Sequence, residues 1–452
     1  MDTNVFEIPD DFYEDLDETR TIDDDEMSNE EIDGEFLPDV KVTQIKTDMG
    51  FKTLMESFER NLYVIPPYQR KYVWSLDKAE ELARSLVMGY PIPPIYVYRN
   101  EYQQLLVLDG QQRLVSLYLY YKGLWFAKKS EAKKHLAVDE LLNQISTGNS
   151  EAITLMEAFE NHDYSLMTSE VTEQNNRNST EITTKGTKIN YSVLSEKTKR
   201  VIDFTILTII DISINTKRGF SDEAKKSRTL YKIFKNLNSG NEPLTNQEIR
   251  NGAYQCKFYE QLNLFNIKNE DWRYYRRSPE NSSSDVEWLL RFCASAEYLI
   301  IKEFDNKNGK AVIDVSKYKN NYTKFLNDFS DLVIGFDSKQ TNKYMNNLAS
   351  FFAKLKEFQI KKADVTNVIL ECLFYTYMNF DKFNSINYNK FNRMNFYVDT
   401  NILEKIRKTL YTATKRKDGT TIGNARSANA KMLKERLEYV YREISEYTKQ
   451  NC

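Results

Sequence analysis

The strongest constraint on this fold lies between Ile95 and Lys122, where two short apolar runs pass straight into a helical pattern. Ile95-Tyr96-Val97-Tyr98 and Gln104–Leu108 read as strands around an Asn100-Glu101 turn. A helix then runs from Gly110 to about Lys122, with Leu114, Leu117, Tyr118 and Tyr121 on one face. The join is Val107-Leu108-Asp109-Gly110-Gln111-Gln112-Arg113. There Asp109 can cap the helix, and Gly110 lets another group approach the backbone closely. First-turn amides lack intrahelical partners and carry partial positive charge, so they can hold an anion. Arg113 lies one turn in, where it can reach the same anion. The competing reading is a capped helix behind a tight Asp-Gly turn, the commoner outcome on spacing alone.

Flanking patterns extend this α/β reading. Thr53–Arg60 looks helical, and Leu62-Tyr63-Val64-Ile65 is extended and stopped by Pro66-Pro67. Ala79, Leu82, Ala83 and Leu86 make an amphipathic helix that Gly89 and Pro91 end in the expected order. Residues from about 127 to 200 are lysine-rich and then polar, an expected insertion in which Ser169–Lys188 reads as a loop. Phe204–Ile212 is a buried strand candidate. Beyond it helices dominate, among them Asp222–Leu237 with Leu230, Ile233, Phe234 and Leu237 in register. The expected organisation is a tail at 1–38, an α/β domain at 39–215 and a helical domain at 216–452, together an α+β chain.

Charge separates the tail from the rest. Residues 1–35 hold nine Asp and seven Glu against Arg20 alone, a net of −15. Of 63 basic and 66 acidic residues, the remainder keeps 62 and 50, a net of +12. The tail cannot bury enough apolar surface to fold alone. A basic body suggests a polyanionic partner. The tail reads either as a competitor of DNA for the basic surface or as a solubilising or partner-binding segment.

Composition also removes function classes. No stretch approaches the roughly 18 consecutive apolar residues of a membrane-spanning helix, and the acidic start is unlike a signal peptide. Cysteines at 256, 293, 372 and 452 have no paired spacing, which argues against a zinc knuckle or disulfide framework and fits a reducing cytoplasm. Histidine occurs only at 135 and 162, in polar stretches, so a Ser–His–Asp triad or histidine–metal nuclease is not expected.

Other stretches carry chemistry of their own. In Ile65-Pro66-Pro67-Tyr68-Gln69-Arg70-Lys71-Tyr72-Val73-Trp74, Arg70 can fork onto phosphate and aromatic faces can stack on a base. Equally, Tyr68, Tyr72 and Trp74 can be core residues of a strand edge. Asn238-Ser239-Gly240 forms a small polar loop before a capping box at Thr245 and Glu248, either a connector or a ligand contact. Between Lys405 and Arg436 ten basic residues meet two acidic ones, and the loop with Lys415, Arg416, Lys417 and Arg426 can follow a phosphate backbone or be a solvated face. Trp272-Arg273-Tyr274-Tyr275-Arg276-Arg277 is a second basic, aromatic candidate.

Together these stretches resemble the GmrSD-type N-terminal domain family, a ParB/sulfiredoxin-like module of modification-dependent restriction enzymes and phage-defence proteins. The matching residues are Ile65–Trp74, Gly89-Tyr90-Pro91-Ile92-Pro93-Pro94-Ile95-Tyr96, Asp109–Leu114, Leu237–Gly240 and Glu248-Ile249-Arg250-Asn251. The resemblance implies a ParB-like α/β core that binds, and in some members hydrolyses, a nucleoside triphosphate, coupled to DNA recognition or cleavage. It makes Asp109, Gly110, Gln111, Gln112 and Arg113 the nucleotide site, Tyr68, Gln69 and Arg70 its facing wall, and Asn238, Ser239 and Gly240 a third side. Full-length members often append a histidine-containing HNH nuclease. No histidine follows His162 here, which argues against HNH cleavage by these residues.

The expected function is an NTP-binding and NTP-hydrolysing, DNA-associated protein of a restriction or antiviral defence system. GTP, CTP or ATP, with Mg2+, would bind where Asp109–Arg113 meets Tyr68–Arg70. Arg113 would hold phosphate, Arg70 would offset charge building in phosphoryl transfer, Gln69 or Gln111 would orient water, and Asp109 would cap the helix or position a metal. One alternative is a non-catalytic adaptor that senses nucleotide or DNA and recruits a separately encoded nuclease. Another is a metal-dependent DNA nickase, for which no carboxylate cluster stands out. An oligomer is compatible with either.

Overall fold

The computed structural model describes residues 40–66, 72–100, 103–131, 134–147, 158–167, 186–216, 222–237, 244–276, 283–305, 310–381, 395–413, 423 and 429–451. The acidic tail, Tyr68–Arg70, Asn238–Gly240 and the basic loop at 415–417 and 426 lie outside them. The chain divides into two compact units, one of 38–219 with 232–243 and one of 220–231 with 244–452. The first is mixed α/β and the second mainly helical.

In the first unit the order is β1 (Val40–Gly50), α1 (Phe51–Glu59), β2 (Tyr63–Val64), α2 (Leu76–Met88), β3 (Ile95–Arg99), β4 (Leu105–Asp109) and α3 (Gln111–Lys122). Then come β5 (Leu124–Phe126), α4 (Lys134–Thr147), β6 (Phe159–Asn161), β7 (Tyr164–Met167), β8 (Gly186–Ile189), α5 (Glu196–Asp203) and β9 (Ile206–Thr216). A five-stranded sheet runs β1-β9-β3-β4-β2. β9 pairs antiparallel with β1 along its whole length and parallel with β3. β4 pairs antiparallel with β3 and parallel with β2, so β2 and β4 point their carboxyl ends the same way. That is the side on which mixed and parallel sheets commonly place ligands.

Local chemistry explains the helices. Ser75 caps α2 by accepting from the Lys78 amide, Ala79, Leu82, Ala83 and Leu86 are buried, and Gly89 closes the helix with φ 69°. The expected one-sided α3 is instead buried all along Leu114–Tyr120, because α1, α2, β5 and the turn at Tyr191–Val193 all pack on it. The span expected to be a polar insertion also feeds the core. Ala137, Val138 and Leu141 of α4 are buried, as are Phe159, Tyr164 and Tyr191. Tyr164 donates from its hydroxyl to the Leu124 carbonyl at 2.8 Å, and Glu80 accepts from the Ser165 amide at 2.9 Å. These few apolar residues are diluted by polar neighbours in the sequence, which hid them from a compositional reading. The loop expected at Ser169–Lys188 falls outside the described residues up to 185 and then enters β8.

α6 (Asp222–Leu237) has the expected span, with Leu230 and Phe234 buried. The helical unit continues with α7 (Asn246–Ala253), α8 (Lys257–Lys268), α9 (Glu270–Tyr275) and α10 (Ser283–Tyr298). A hairpin of β10 (Ile300–Asp305) and β11 (Lys310–Asp314) interrupts the helices. α11 (Tyr322–Val333), α12 (Ser338–Glu357), α13 (Asn367–Asn379), α14 (Thr400–Lys408) and α15 (Ala430–Asn451) complete the unit. α7 opens on the expected capping box of Thr245 and Glu248. At the centre of this unit, the buried Glu371 of α13 accepts from Arg291 of α10 at 3.1 Å and from Ser295 at 3.0 Å, and faces Arg436 of α15 at 3.5 Å. Arg291 is stacked between Trp288 and Tyr322, each ring centroid 3.9 Å from its guanidinium carbon. Among the described residues no helix is long and apolar enough to cross a membrane.

Candidate nucleotide site at the β4–α3 junction

β4 ends at Asp109 and α3 starts at Gln111, with Gly110 between them as the helix N-cap. Gly110 has φ 97°, and a Cβ there would stand 3.0 Å from Ile95 Cγ1 and 3.2 Å from Arg113 Nη2. Only glycine fits both the backbone angle and the space. No side chain of the N-cap residue bonds to the first turn. That residue is Gly110, which has no side chain, and Asp109 just before it does not make the cap bond that its position suggests. Instead Asp109 Oδ2 accepts from Arg113 Nη2 at 2.8 Å, one turn apart on the chain.

The same Arg113 Nη2 donates to the Pro94 carbonyl at 3.0 Å. Because β3 lies antiparallel to β4, the start of β3 stands beside the end of β4, with Tyr96 opposite Asp109. Arg113 thus ties β3, β4 and α3 together at one point. Its Nε is buried and has no hydrogen-bond partner among the described residues. An arginine donor left over at a helix N-terminus adds to the positive potential of the first turn.

Gln112 is a clamp that sequence reading had not foreseen. Its Oε1 accepts from the Val73 amide at 2.9 Å and the Trp74 amide at 3.3 Å. The Trp74 carbonyl in turn accepts from Lys134 Nζ at 2.7 Å. The Tyr72 hydroxyl meets Ser116 Oγ at 2.7 Å, and Ser116 donates to the Gln112 carbonyl at 2.7 Å. Tyr72 is buried, and that burial holds its hydroxyl well above the usual phenol range. So Tyr72 is a core residue that pins the segment to α3, while Trp74 packs partly buried on the same core. Lys134 gave no signal in the sequence beyond a lysine-rich stretch, since its partner is a backbone carbonyl 60 residues away.

Of the expected site residues, the structure brings Asp109, Gly110, Gln111, Gln112 and Arg113 together at the junction. The expected wall of Tyr68, Gln69 and Arg70 and the third side of Asn238, Ser239 and Gly240 lie outside the described residues. So do Lys415, Arg416, Lys417 and Arg426. The carboxylate described at the junction, Asp109, is engaged by Arg113, so its fit to a protein-held Mg2+ is poor. Among the described residues no group of three or more His, Cys, Asp or Glu side chains is placed to hold a metal ion.

No curated protein matches the chain significantly. Residues 51–255 match the family described as the GmrSD restriction endonuclease, N-terminal domain, a span that contains the whole β4–α3 junction with its clamp and runs on into α7. Over those residues, a little under half of the chain, the protein is similar to the GmrSD restriction endonuclease N-terminal domain family.

Proposed function

We propose that the protein is a nucleotide-binding, DNA-associated component of a restriction-type defence system, and that the β4–α3 junction takes the phosphates of a nucleoside triphosphate. The similarity of residues 51–255 to the N-terminal domain of a restriction endonuclease family supports the defence setting and the association with DNA. The observation that carries the phosphate assignment is the junction itself. A glycine N-cap that no other residue fits opens α3 at the carboxyl end of β4, beside a buried Arg113 donor still in search of an acceptor.

In this reading the α3 first turn and Arg113 bind and orient phosphate oxygens. Gln112 and Lys134 fix the Val73-Trp74 backbone, and so the chain that leads out of the expected Tyr68–Arg70 wall. Gln111, on the first turn, would orient a water. Asp109 neutralises Arg113 before ligand arrives, which lowers the cost of holding the arginine partly buried. A bound Mg2+ would supply charge neutralisation on the phosphates, carried in by the nucleotide rather than by a carboxylate cage of this chain.

The pairing of Asp109 with Arg113 also favours a second reading, a nucleotide-sensing adaptor that binds without rapid turnover, because the carboxylate is not free to activate water. Titration of the full chain with GTP, CTP and ATP, followed by measurement of phosphate release, separates the two. Saturable binding with release supports the hydrolase, and binding without release supports the adaptor. Absence of binding by all three nucleotides overturns both.

A further inference from the structure

The stretch Trp272–Arg277 reads in sequence as a basic, aromatic candidate surface, but the arginines described in it are engaged by a carboxylate. Trp272 is fully buried. Arg273 and Arg276 turn inward onto the buried carboxylate of Asp285, each at 2.6 Å. The arginines described in this stretch are therefore engaged in a structural ion cluster, and among its described residues Tyr274 is the exposed one, at 54%.

Beside Tyr274 opens a cleft of about 450 Å3 between α9 and the carboxyl end of α12. Glu270, Asp271, Tyr274 and Lys356 form its walls, over a floor of Tyr275 and Ile360. The floor is fixed, since the Tyr275 hydroxyl donates to the Ile360 carbonyl at 3.0 Å. α12 ends there as well: the Gln359 amide donates to the Lys356 carbonyl at 2.9 Å and the Ile360 amide to the Leu355 carbonyl at 3.0 Å. This 20-residue helix therefore ends beside two carboxylates, with Lys354 and Lys356 in its last turn. Lys356 lines the cleft too, but it is paired with Asp271 at 2.7 Å. Glu270 is exposed at the cleft, where its charge also acts on Lys356.

Phosphate is repelled by such a lining. A flat cation is matched by it: guanidinium stacks on an exposed tyrosine face and forks onto a carboxylate. We infer that this cleft recognises a guanidinium group on a flexible stem, stacked on Tyr274 and paired with Glu270. The site is independent of the β4–α3 junction, and neither assignment depends on the other. Free guanidinium compounds and arginine side chains of a partner protein share this chemistry.

The test is isothermal titration of the full chain with L-argininamide, with uncharged L-citrullinamide, with thymidine monophosphate, and with the peptide acetyl-Gly-Arg-Gly-amide. Argininamide is expected to bind saturably and citrullinamide about tenfold more weakly, with no binding of thymidine monophosphate. Glu270→Gln and Tyr274→Ala, both at exposed positions, are each expected to weaken argininamide about tenfold with an unchanged circular dichroism spectrum. Both source outcomes uphold the cleft: tighter binding of the peptide than of argininamide assigns it to a partner protein, and equal binding assigns it to a free compound. Equal binding of argininamide and citrullinamide, no saturable binding of argininamide, or full affinity in both variants overturns the inference.

Discussion

At the scale of single residues, the account rests on side chains whose roles are set by the fold rather than by their neighbours in sequence. Gly110→Ala forces a Cβ to 3.0 Å from Ile95 at φ 97°, and should cost about 1–3 kcal/mol in urea unfolding. Glu371→Gln leaves Arg291 and Arg436 buried without their shared carboxylate, and should cost about 3–5 kcal/mol in the same measurement. Burial pushes the Cys372 thiol up to about 12 and raises that of Cys293 as well, so both should resist Ellman's reagent in the native protein and react on unfolding. Sequence alone placed Gly110 correctly at a tight turn. For Asp109 it offered a cap or a metal contact, whereas the side chain pairs with Arg113 four residues on, and the Pro94 carbonyl that shares this arginine is brought alongside by the β3–β4 register.

At the scale of elements, hydrophobic period was a reliable guide wherever one face of an element meets the core. α2 and α6, with β3 and β4, follow their sequence patterns closely for that reason. α3 did not show its full burial in its pattern, because tyrosines can fill a core while reading as amphipathic. Two arginines of the basic stretch Trp272–Arg277, Arg273 and Arg276, are engaged for a related cause, since Asp285 lies on the next helix and its claim on them is a tertiary fact. Removing the α7 cap by Thr245→Ala should cost about 1 kcal/mol of stability by thermal or urea unfolding. In the β10–β11 hairpin, Lys302 and the Ser316 amide lower Asp314 to about 2. A depressed carboxylate stabilises the folded state above its ordinary value of 3.8, and that contribution is lost as pH falls toward about 2. Carboxyl-carbon titration should therefore find the Asp314 midpoint near 2, and Lys302→Met should move it upward.

At the scale of the whole molecule, a chain with a net charge of −3 carries a +12 body behind a −15 segment. That asymmetry suggests a polyanionic partner without giving an address for it. The similarity of residues 51–255 to a restriction endonuclease domain turns the expectation toward DNA, and the β4–α3 junction is the proposed place for a nucleotide. The cleft at Tyr274 shows that the helical unit is not uniformly suited to phosphate. The most direct test of the central claim is nucleotide titration of the full chain against Gln111→Glu. A carboxylate in the first turn of α3 favours the helix dipole, so the fold should be retained or slightly stabilised, while a negative charge is set where the phosphates are held. The account predicts saturable binding of at least one of GTP, CTP and ATP by the wild type, and affinity reduced by at least about tenfold in Gln111→Glu. Equal nucleotide affinity in the two proteins would contradict it.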